Sequence, residues 1–479
     1  DQQRLSEALM VTRGISVIFG WLALAGIYLG GLALWHDRRW ALFGALIFGF
    51  SPPILQVFAI VTNDAAVIAF SALLIAASLH LCTNQNWKNP RLLLFTAVVI
   101  ALAGLSKVSG LVIAPIPVLA VLWGGWRERG CGFRSTDFRS TVISLVLLMG
   151  LPLIFAGGWY LRNYLLYGDL LGTLPHRWMG WSFDELQSIP AVLTRLPIIL
   201  QTLWFNAGWG EIRPPAWGYL LPICMMILAV IGWIRRPRFD MRVVLLVITL
   251  LLGVGALIHW MQMENMITGR LYLPYIPALV LLMVWGIKQV PLAQLWRMLL
   301  AGAAGGLAII TTVVVIFPAL DAPALINEPP ANLQGSPINF GVAIFLGYQI
   351  DNDILVPGQD RQIKLCWQAP GGDTPIAVPY PFALQVIQVA DRNRVQPGEP
   401  IVASRESYPG LGKYTLWQPG KVFCDEFRLP PGGEKPLKAG REYALYLTLY
   451  DPVTLVGLPG YTGDQLSSKI IGYVRAAKF

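Results

Sequence analysis

Charged residues are scarce in this sequence. They make up 13% of its 479 residues, compared with about 25% in an ordinary soluble domain. A chain so poor in charge cannot cover a water-exposed surface with solvated groups, and 55% of its residues are hydrophobic. The composition therefore excludes the soluble, disordered and fibrous classes and predicts a polytopic membrane protein.

The sequence also lacks the signatures of soluble enzymes and of tightly bound cofactors. Its four histidines are scattered, with no spacing that suits a metal site. It contains no phosphate-binding loop, no nucleophile elbow and no paired-cysteine motif for a haem or a metal cluster. These absences give no reason to expect a nucleotide cradled by glycines or a cofactor bound by cysteine.

The formal net charge of +9 is unevenly distributed. Residues 1–318 contain 22 basic and 12 acidic residues, a net of +10, whereas residues 319–479 contain 14 and 15, a net of −1. Long apolar runs stop at the same point, and the sequence beyond it is polar and rich in Pro and Gly turns. We predict a membrane domain over 1–318, a linker over 319–338 and a soluble domain over 339–479.

Ten apolar runs in the membrane domain approach the roughly 20 residues that a helix needs to cross a bilayer. The predicted spans are 14–34, 41–60, 65–82, 92–104, 109–124, 140–158, 217–234, 243–260, 271–287 and 298–318. The pair 92–104 and 109–124 is short and can also form a shallow helical hairpin whose polar tip is buried in protein.

Five short loops rich in Lys and Arg predict the orientation, because such loops stay in the cytoplasm. They are HDRRW, NWKNPR, WRERGCGFRSTDFR, RRPRFDMR and KQVPLAQLWR, and together they hold 14 basic and 4 acidic residues. The rest of 1–318 is balanced, with eight residues of each sign, so the loops account for the whole excess. The positive charge therefore indicates orientation, and we expect no nucleic-acid partner.

This orientation places both ends of the ten-span chain on the outer face. An outer N-terminus with no apolar signal ahead of it is unusual, and the sequence begins with Asp1. We therefore expect an upstream piece, with one more helix and an outer loop, to precede this sequence. The alternative is that one span is miscounted at the short pair.

The C-terminal region carries short runs of Val, Ile, Leu, Phe and Tyr that alternate with polar residues between turns. This pattern predicts an extracytoplasmic antiparallel β-sandwich. Cys366 and Cys424 both lie there, and an oxidising compartment would allow them to form a disulfide. The other cysteines are Cys82 and Cys131 on the inner side and Cys224 in a span, where reduced thiols are expected.

Several polar residues gather at the predicted outer face, and charges near bilayer depth are functional candidates by default. Asn63 and Asp64 open the third span, either as part of a site or simply as a helix cap. Lys107 lies between two short apolar helices, where it either snorkels to the interface or binds an anionic headgroup. Glu264 and Arg270 lie at the start of the ninth span.

A further outer-face motif, GWYLRNYLLYGDLLG, covers residues 158–172. Its candidate residues are Arg162, Asn163, Tyr167 and Asp169, although an aromatic belt with an Arg is ordinary at an interface. Basic groups at this depth would bind the phosphate of an isoprenoid-linked sugar and stabilise it as a leaving group. A carboxylate would activate the acceptor hydroxyl, and a lipid-linked donor suits a face without access to cytoplasmic nucleotide sugars.

Five segments, in this order, resemble the GT-C superfamily of integral-membrane glycosyltransferases. They are RGISVIFG (13–20), FSPPILQVFAIVTNDAAVIAFSALLIA (50–76), GLSKVSGLVIAPI (104–116), WYLRNYLLYGDLLG (159–172) and TGRLYLPYIPAL (268–279). The protein O-mannosyltransferase and lipid A aminoarabinose transferase branch is the most similar, and the outer β-domain is similar to domains appended to bacterial members. The resemblance implies a bacterial inner-membrane protein with its C-terminal domain outside.

The resemblance also implies residue roles. Arg13, Lys107 and Arg270 would bind the donor phosphate, and Asp64 would help to build an acceptor or metal site. The candidates for that second site are Asn63, Asp64 and Glu264. The family's catalytic carboxylate lies in the first outer loop, and this sequence starts beyond that point, so no catalytic base is predicted. Some members need a divalent metal ion, but one Asp and a nearby Glu are too few to predict coordination.

These observations predict an outer-face glycosyltransferase that moves a sugar from a polyprenyl-phosphate donor to a protein, lipid or glycan acceptor. Its expected partners are the lipid bilayer and the polyprenyl-phosphate-linked sugar. The alternative is a non-catalytic GT-C-like subunit or scaffold of a larger membrane complex. A transporter is disfavoured, because we find no internal repeat and no paired broken helices.

Overall fold

The structure is a computed structural model of the chain. It describes residues 2–83, 86–128, 135–175, 182–183, 185–205, 207–210, 212–237, 240–264, 268–291, 294–357, 359–370, 380–390, 395, 399–413, 416–429, 437–454 and 456–477. The chain divides into two compact units. The first comprises residues 1–175, 200–260 and 268–316, and the second comprises 176–199, 261–267 and 317–479.

Helices make up the first unit and a short part of the second. In chain order they are α1 (Gln2–Trp35), α2 (Arg38–Gly49), α3 (Pro52–Ala59), α4 (Asn63–Leu81), α5 (Pro90–Ser106), α6 (Pro115–Glu128), α7 (Ser135–Tyr167), α8 (Ile189–Leu193), α9 (Leu196–Trp204), α10 (Trp217–Arg235), α11 (Met241–Met263), α12 (Ile276–Gln289), α13 (Gln294–Thr311) and α14 (Phe317–Leu320). Short 3₁₀ or π segments cover Asn86–Lys88, Val108–Ile113, Gly208–Gly210, Gly269–Tyr275, Thr312–Ile316 and Pro409–Gly412.

Eight helical segments of the described chain are long and apolar enough to cross a membrane. They are Glu7–Trp35, Asn63–Leu81, Val108–Glu128, Phe138–Tyr167, Trp217–Arg235, Met241–Met263, Gly269–Gln289 and Gln294–Leu320. The pair Arg38–Gly49 and Pro52–Ala59 adds a ninth if it forms one span, and Pro90–Ser106 is a shorter apolar helix. The predicted polytopic helical membrane fold is confirmed, with roughly the expected number of spans.

The predicted span 41–60 is bent by 67° between α2 and α3. Ser51 is extended, and Pro52 and Pro53 begin the next helix. Proline has no backbone N–H to donate and clashes with the preceding turn, so a helix ends before it and can restart with it at the first position. The apolar pattern alone does not reveal this break.

Small residues allow close helix contacts inside the first unit. A Cβ atom at Gly26 of α1 would collide with the backbone of Ala72 on α4, and one at Gly232 of α10 would collide with the backbone of Gly286 on α12. Such small-residue contacts are typical of helices that pack within a membrane. They draw α4 and α12 into the buried centre of the unit, where the candidate site residues begin these two spans.

The C-terminal part of the second unit consists of two β-sheets. Its strands are β1 (Ile338–Asn339), β2 (Ile344–Ile350), β3 (Ile354–Leu355), β4 (Arg361–Gln368), β5 (Phe382–Ile387), β6 (Ile401–Ser407), β7 (Val422–Leu429), β8 (Glu442–Leu449), β9 (Tyr461–Thr462), β10 (Gln465–Leu466) and β11 (Ile470–Ala476). One sheet has the order β10-β9-β1-β2-β4-β7 and the other β3-β11-β8-β5-β6. The predicted β-sandwich is confirmed, although β3 pairs with β11 in parallel.

Aromatic and aliphatic side chains from both sheets form one core between them. Trp367 of the first sheet lies with its ring centroid 5.5 Å from that of Phe382 in the second. The alternating runs of the sequence are 339–350, 361–368, 381–390, 421–429, 441–450 and 469–475, and they correspond to β2, β4, β5, β7, β8 and β11. The strands β3, β6, β9 and β10 lie outside them. Alternation identifies strands with one buried face, whereas Ile401–Ser407 has just two fully buried positions.

Cys366 and Cys424 lie directly opposite each other in the register of β4 and β7. The structure joins them by a disulfide between residues 58 apart, with a Cα–Cα distance of 4.1 Å. Cys82 and Cys224 are free thiols, and Cys131 lies outside the described residues.

Candidate functional site

Asp64 lies in the first turn of α4, and the residue is 3% exposed. The helix begins there because Thr62 is extended and its hydroxyl accepts a hydrogen bond from the Asp64 amide at 3.2 Å. This is an N-terminal cap, which satisfies one of the free amides of a first helical turn. The cap is thus Thr62 and neither Asn63 nor Asp64, which leaves the Asp64 carboxylate available for other partners.

Lys107 ends α5 and approaches Asp64 from a second element. The backbone leaves helical geometry at Lys107, with φ −165° and ψ 147°. A 3₁₀ turn starts at Val108, and Gly110 packs so closely on Ala103 that no Cβ would fit. The Lys107 Nζ atom lies 2.6 Å from Asp64 Oδ1.

Arg270 supplies the third charge from the start of the Gly269–Tyr275 segment. Its side chain Nε donates to Asp64 Oδ2 at 2.5 Å, and its Nη2 donates to the Thr62 hydroxyl at 2.7 Å. Thr268 caps this segment by accepting from the Arg270 amide at 3.2 Å. The Thr202 hydroxyl accepts from the Gly269 amide at 2.7 Å, so a fourth element supports the segment.

Three residues that are far apart in the sequence thus meet at one place. Each oxygen of the Asp64 carboxylate accepts from a different cation, and the cluster of Asp64, Lys107 and Arg270 carries a formal charge of +1. Asn63 lies beside it, and its amide donates to the Ser106 carbonyl at 3.5 Å. Buried charges without partners are very costly, so this arrangement fixes both cations in a prearranged position near the ends of three helical segments.

Arg13 and Glu264 have different surroundings. Arg13 is exposed on α1, and among the described residues no ion pair joins it to Asp64. Glu264 belongs to the second unit, where it is 3% exposed and accepts a hydrogen bond from the Ser182 hydroxyl at 2.7 Å. Among the described residues, no hydrogen bond or ion pair links Arg13 to Lys107 or Arg270, and its role in phosphate binding stays a prediction.

The 158–172 motif shows how a polar loop residue can be structural. Asp169 accepts hydrogen bonds from the amides of Leu171, Thr173 and Leu174 and from the Thr173 hydroxyl. Desolvation alone would raise the pKa of Asp169, but these hydrogen bonds outweigh it and hold the pKa below its ordinary value. Asp169 thus organises the turn after α7.

The other residues of this motif also have local surroundings. Arg162 lies over the ring of Trp159, with its guanidinium carbon 5.3 Å from the ring centroid. Asn163 is buried beside Gly172, and Tyr167 is the last residue of α7. These placements agree both with an aromatic belt at the membrane interface and with a functional site.

A metal site is not evident in the described part of the chain. No three His, Cys, Asp or Glu side chains there come close enough to hold a metal ion. Both oxygens of Asp64 already accept from Lys107 and Arg270. The predicted acceptor or metal site at Asn63, Asp64 and Glu264 therefore stays a prediction.

Sequence reasoning missed the threonines that build the cluster. Thr62 and Thr268 each precede, by two positions, a charged residue at the start of an apolar run. The shared pattern of threonine, one small polar or Gly residue, and then a charge could have been recognised as two helix caps. Thr202 has no such signal, because its contact with Gly269 depends on tertiary structure.

Comparison with known families gives an independent result for the N-terminal third of the chain. Residues 5–156 match the family described as dolichyl-phosphate-mannose-protein mannosyltransferase. The predicted resemblance to GT-C glycosyltransferases is confirmed. The matched segment contains Asp64 and Lys107, while Arg270 lies beyond its end.

Two solved structures are similar to the chain. ArnT from Cupriavidus metallidurans bound to undecaprenyl phosphate has 16% identity and a TM-score of 0.42, covering 67% of this chain and 52% of its own. The apo oligosaccharyltransferase of Archaeoglobus fulgidus has 13% identity and a TM-score of 0.32, covering 64% of this chain and 44% of its own. The chain thus spans about half the length of each. A search of curated protein sequences gave no match.

Proposed function

We propose that this chain is a glycosyltransferase that takes a sugar from a polyprenyl-phosphate donor at the outer face of the membrane and passes it to a protein, lipid or glycan acceptor. The observation that carries the proposal is the convergence of Lys107 and Arg270 on one carboxylate at the ends of apolar helices. The mannosyltransferase match over residues 5–156 supports it. So does the undecaprenyl phosphate bound to ArnT.

The charge of the cluster suits the reaction. A polyprenyl-phosphate sugar carries one negative charge on its phosphodiester, and the cluster carries a formal charge of +1. When the bond between the anomeric carbon and the phosphate oxygen breaks, the departing phosphate gains a second negative charge. Two fixed cations then stabilise the leaving group more strongly than the bound donor, and this difference is what accelerates a reaction.

Asp64 has a distinct role in this proposal. Because its two oxygens accept from the two cations, we assign it as the counter-ion that holds Lys107 and Arg270 in position before the donor binds. The acceptor oxygen forms the new bond to the anomeric carbon and loses its proton to a base, which the described residues do not identify. Asp64 acts on the phosphate through its two cations.

The orientation of the cluster agrees with an outer-face reaction. Asp64 begins a span, Lys107 ends α5 and Arg270 begins a later span. The basic loops that predict the cytoplasmic side lie at the opposite ends of these helices, as Arg91 does at the start of α5. A lipid-linked donor would place its phosphate at this level while its tail stays in the bilayer.

A transfer assay in proteoliposomes tests the proposal. We expect the wild-type protein to transfer label from a radiolabelled polyprenyl-phosphate sugar, and the variants Lys107→Ala and Arg270→Ala each to lower the rate by about 10- to 100-fold, the value of a charge-assisted hydrogen bond. The matched control is Arg91→Ala, which removes an exposed basic side chain at the other end of α5, about 24 Å away along the helix.

The transfer assay has three outcomes that would contradict the proposal in different ways. Equal rates in the wild type and in both cluster variants would overturn the phosphate assignment. No transfer from any donor by a folded wild-type protein would instead favour the non-catalytic subunit. An effect of Arg91→Ala equal to that of Lys107→Ala would show that a general loss of positive charge, and not this cluster, governs the rate.

A further inference from the structure

The solvent-exposed face of the first β-sheet, which contains β2, β4 and β7, has an open polar groove with a volume of about 350 Å³. This volume lies near the lower end of the roughly 300–1,000 Å³ of small-molecule sites. Seven of its nine lining residues are polar and two are isoleucines. The groove is formed within the β-domain alone and is separate from the Asp64 cluster.

Strand register explains why these side chains share one face. Gln349 of β2 lies opposite Lys364 of β4, which in turn lies opposite Glu426 of β7. Ile363 and Leu365, which flank Lys364 in β4, belong to the core between the sheets, although Ile363 also borders the groove. Side chains alternate between the two faces of a strand, so the three polar residues form a row across the solvent face of the sheet.

A loop before β1 completes the groove. The backbone of Gln334 exchanges two hydrogen bonds with that of Tyr348, at 2.8 and 2.9 Å, and so fixes this loop beside β2. Asn332 then accepts a hydrogen bond from the Gln349 amide at 2.6 Å. A primary amide offers two donors and a carbonyl with two acceptor sites, so one shared bond leaves both amides with capacity for a ligand.

The charged pair at the other end of the row is also preorganised. Lys364 Nζ lies 2.5 Å from Glu426 Oε1, and Gln362 donates to the second Glu426 oxygen at 3.4 Å. With Asp351 in the lining, the groove has one positive and two negative groups. A net charge of −1 disfavours phosphate, nucleic acid and other anions.

We propose that this groove is a binding site for a neutral carbohydrate of one or two sugar rings. Vicinal hydroxyl groups both donate and accept hydrogen bonds, and the amides and the Lys364–Glu426 pair supply both functions side by side. A protein partner would need apolar or aromatic anchors, and the lining contains no aromatic residue. The inference does not depend on the transferase activity.

Saturation-transfer NMR tests the proposal on the full chain in nanodiscs, because glycoside detergents would compete for the groove. The probes are methyl α-mannoside, maltose, lactose and chitobiose. We expect at least one of them to give signals above those of empty nanodiscs. Gln349→Ala and Glu426→Gln, which change different strands, should each weaken this signal about five-fold, since each removes or weakens one or two ligand hydrogen bonds.

Two controls locate the binding. Gln385→Ala changes a half-buried glutamine on β5 of the other sheet, and Lys107→Ala disables the membrane cluster; both should keep the wild-type signal. The proposal is overturned if no probe gives a signal or if both groove variants bind as the wild type does. It is equally overturned if Gln385→Ala or Lys107→Ala abolishes binding, because the sugar would then not be recognised in the groove.

Discussion

Two buried aspartates, one in each unit of the molecule, have different kinds of hydrogen-bond partner. Asp64 is 3% exposed, and its oxygens accept from the cations of Lys107 and Arg270. Asp425 is 9% exposed, and its oxygens accept from the amide of Gly410 at 3.0 and 2.9 Å. Within the described residues, no Lys or Arg forms an ion pair with Asp425.

This difference shows that burial by itself does not distinguish a carboxylate paired with cations from one bound to a backbone amide. Burial raises the pKa of Asp425 to about 7, although the Gly410 hydrogen bond opposes the rise. Gly410 can make this bond because it has a φ of +60°, a conformation that favours glycine. Asp425 thus lies in β7 and accepts from the Gly410 turn, whereas the partners of Asp64 are two cations.

The largest effect is expected when the Asp64 carboxylate is removed. Asp64→Ala leaves Lys107 and Arg270 close together without their counter-ion, and loss of one member of a buried ionic group costs about 3–5 kcal/mol. We expect the thermal unfolding temperature of the purified protein to fall accordingly. The double variant Asp64→Ala/Arg270→Ala should recover part of the loss, because it also removes one of the unpaired cations.

The matched control for this prediction is Glu128→Ala. Glu128 pairs with Lys88 at a partly exposed position, where an ion pair contributes about 0–1 kcal/mol. If Asp64→Ala destabilises the protein no more than Glu128→Ala does, the cluster is not a buried ionic network.

A smaller effect, opposite in sign, is expected at Asp425. Below pH 4 the carboxyl group is protonated in both states. Between about pH 4 and pH 7 the Asp425 carboxyl group is ionised in the unfolded chain but still protonated in the folded protein. The free energy of unfolding therefore falls in this range, and the stability contributed by the protonated group is lost as the pH rises through about 7. The interval between about 7 and the ordinary 3.8 corresponds to roughly 4 kcal/mol.

Asp425→Asn removes this penalty. We expect Asp425→Asn to stabilise the β-domain by about 2 kcal/mol at pH 8, which is half of the roughly 4 kcal/mol penalty. The gain is smaller than the penalty because both carboxylate oxygens accept from the Gly410 amide, whereas the amide side chain of Asn has one oxygen to do so. Hydrogen exchange of β7 peptides at pH 5 and pH 8 measures the effect locally. Asp464→Asn, at an exposed turn of the same domain, is the control. A stability of β7 that depends on pH equally in the wild type and in Asp425→Asn would contradict the prediction.

The same two carboxylates show what the sequence could predict. Asp64 was predictable as a candidate, because it stands at the mouth of an apolar run and within a segment that resembles a known family. Its partners could not be deduced from spacing, since positions 64, 107 and 270 meet through the packing of three spans. The role of Asp425 could not be predicted from the sequence. The alternation of β7 places it among core residues, and nothing in the sequence indicates the Gly410 turn that it binds.

Membrane spans and strands follow directly from hydrophobic length and alternation, so the fold class was predictable. The bend at Ser51 was not, although the two prolines that cause it are plain in the sequence, because an apolar run of bilayer length outweighs them in any hydropathy argument. Glu264 shows a different limit. The sequence offered it as a candidate for an acceptor or metal site with Asn63 and Asp64, but it gave no sign of Ser182, whose hydroxyl donates to Glu264 from a distant part of the chain.

The smallest predicted effect concerns Thr62, whose hydroxyl joins the helix cap to the cluster. It accepts from the Asp64 amide at 3.2 Å and from Arg270 Nη2 at 2.7 Å. Thr62→Val keeps the shape but removes the oxygen, and loss of a capping oxygen typically costs about 1 kcal/mol. Thr62→Ser keeps the oxygen and is the matched control, so the unfolding temperature should fall for Val and stay near that of the wild type for Ser. Equal unfolding temperatures in the two variants would mean that the hydroxyl holds neither the helix nor Arg270, and the cluster would then depend on the charges alone.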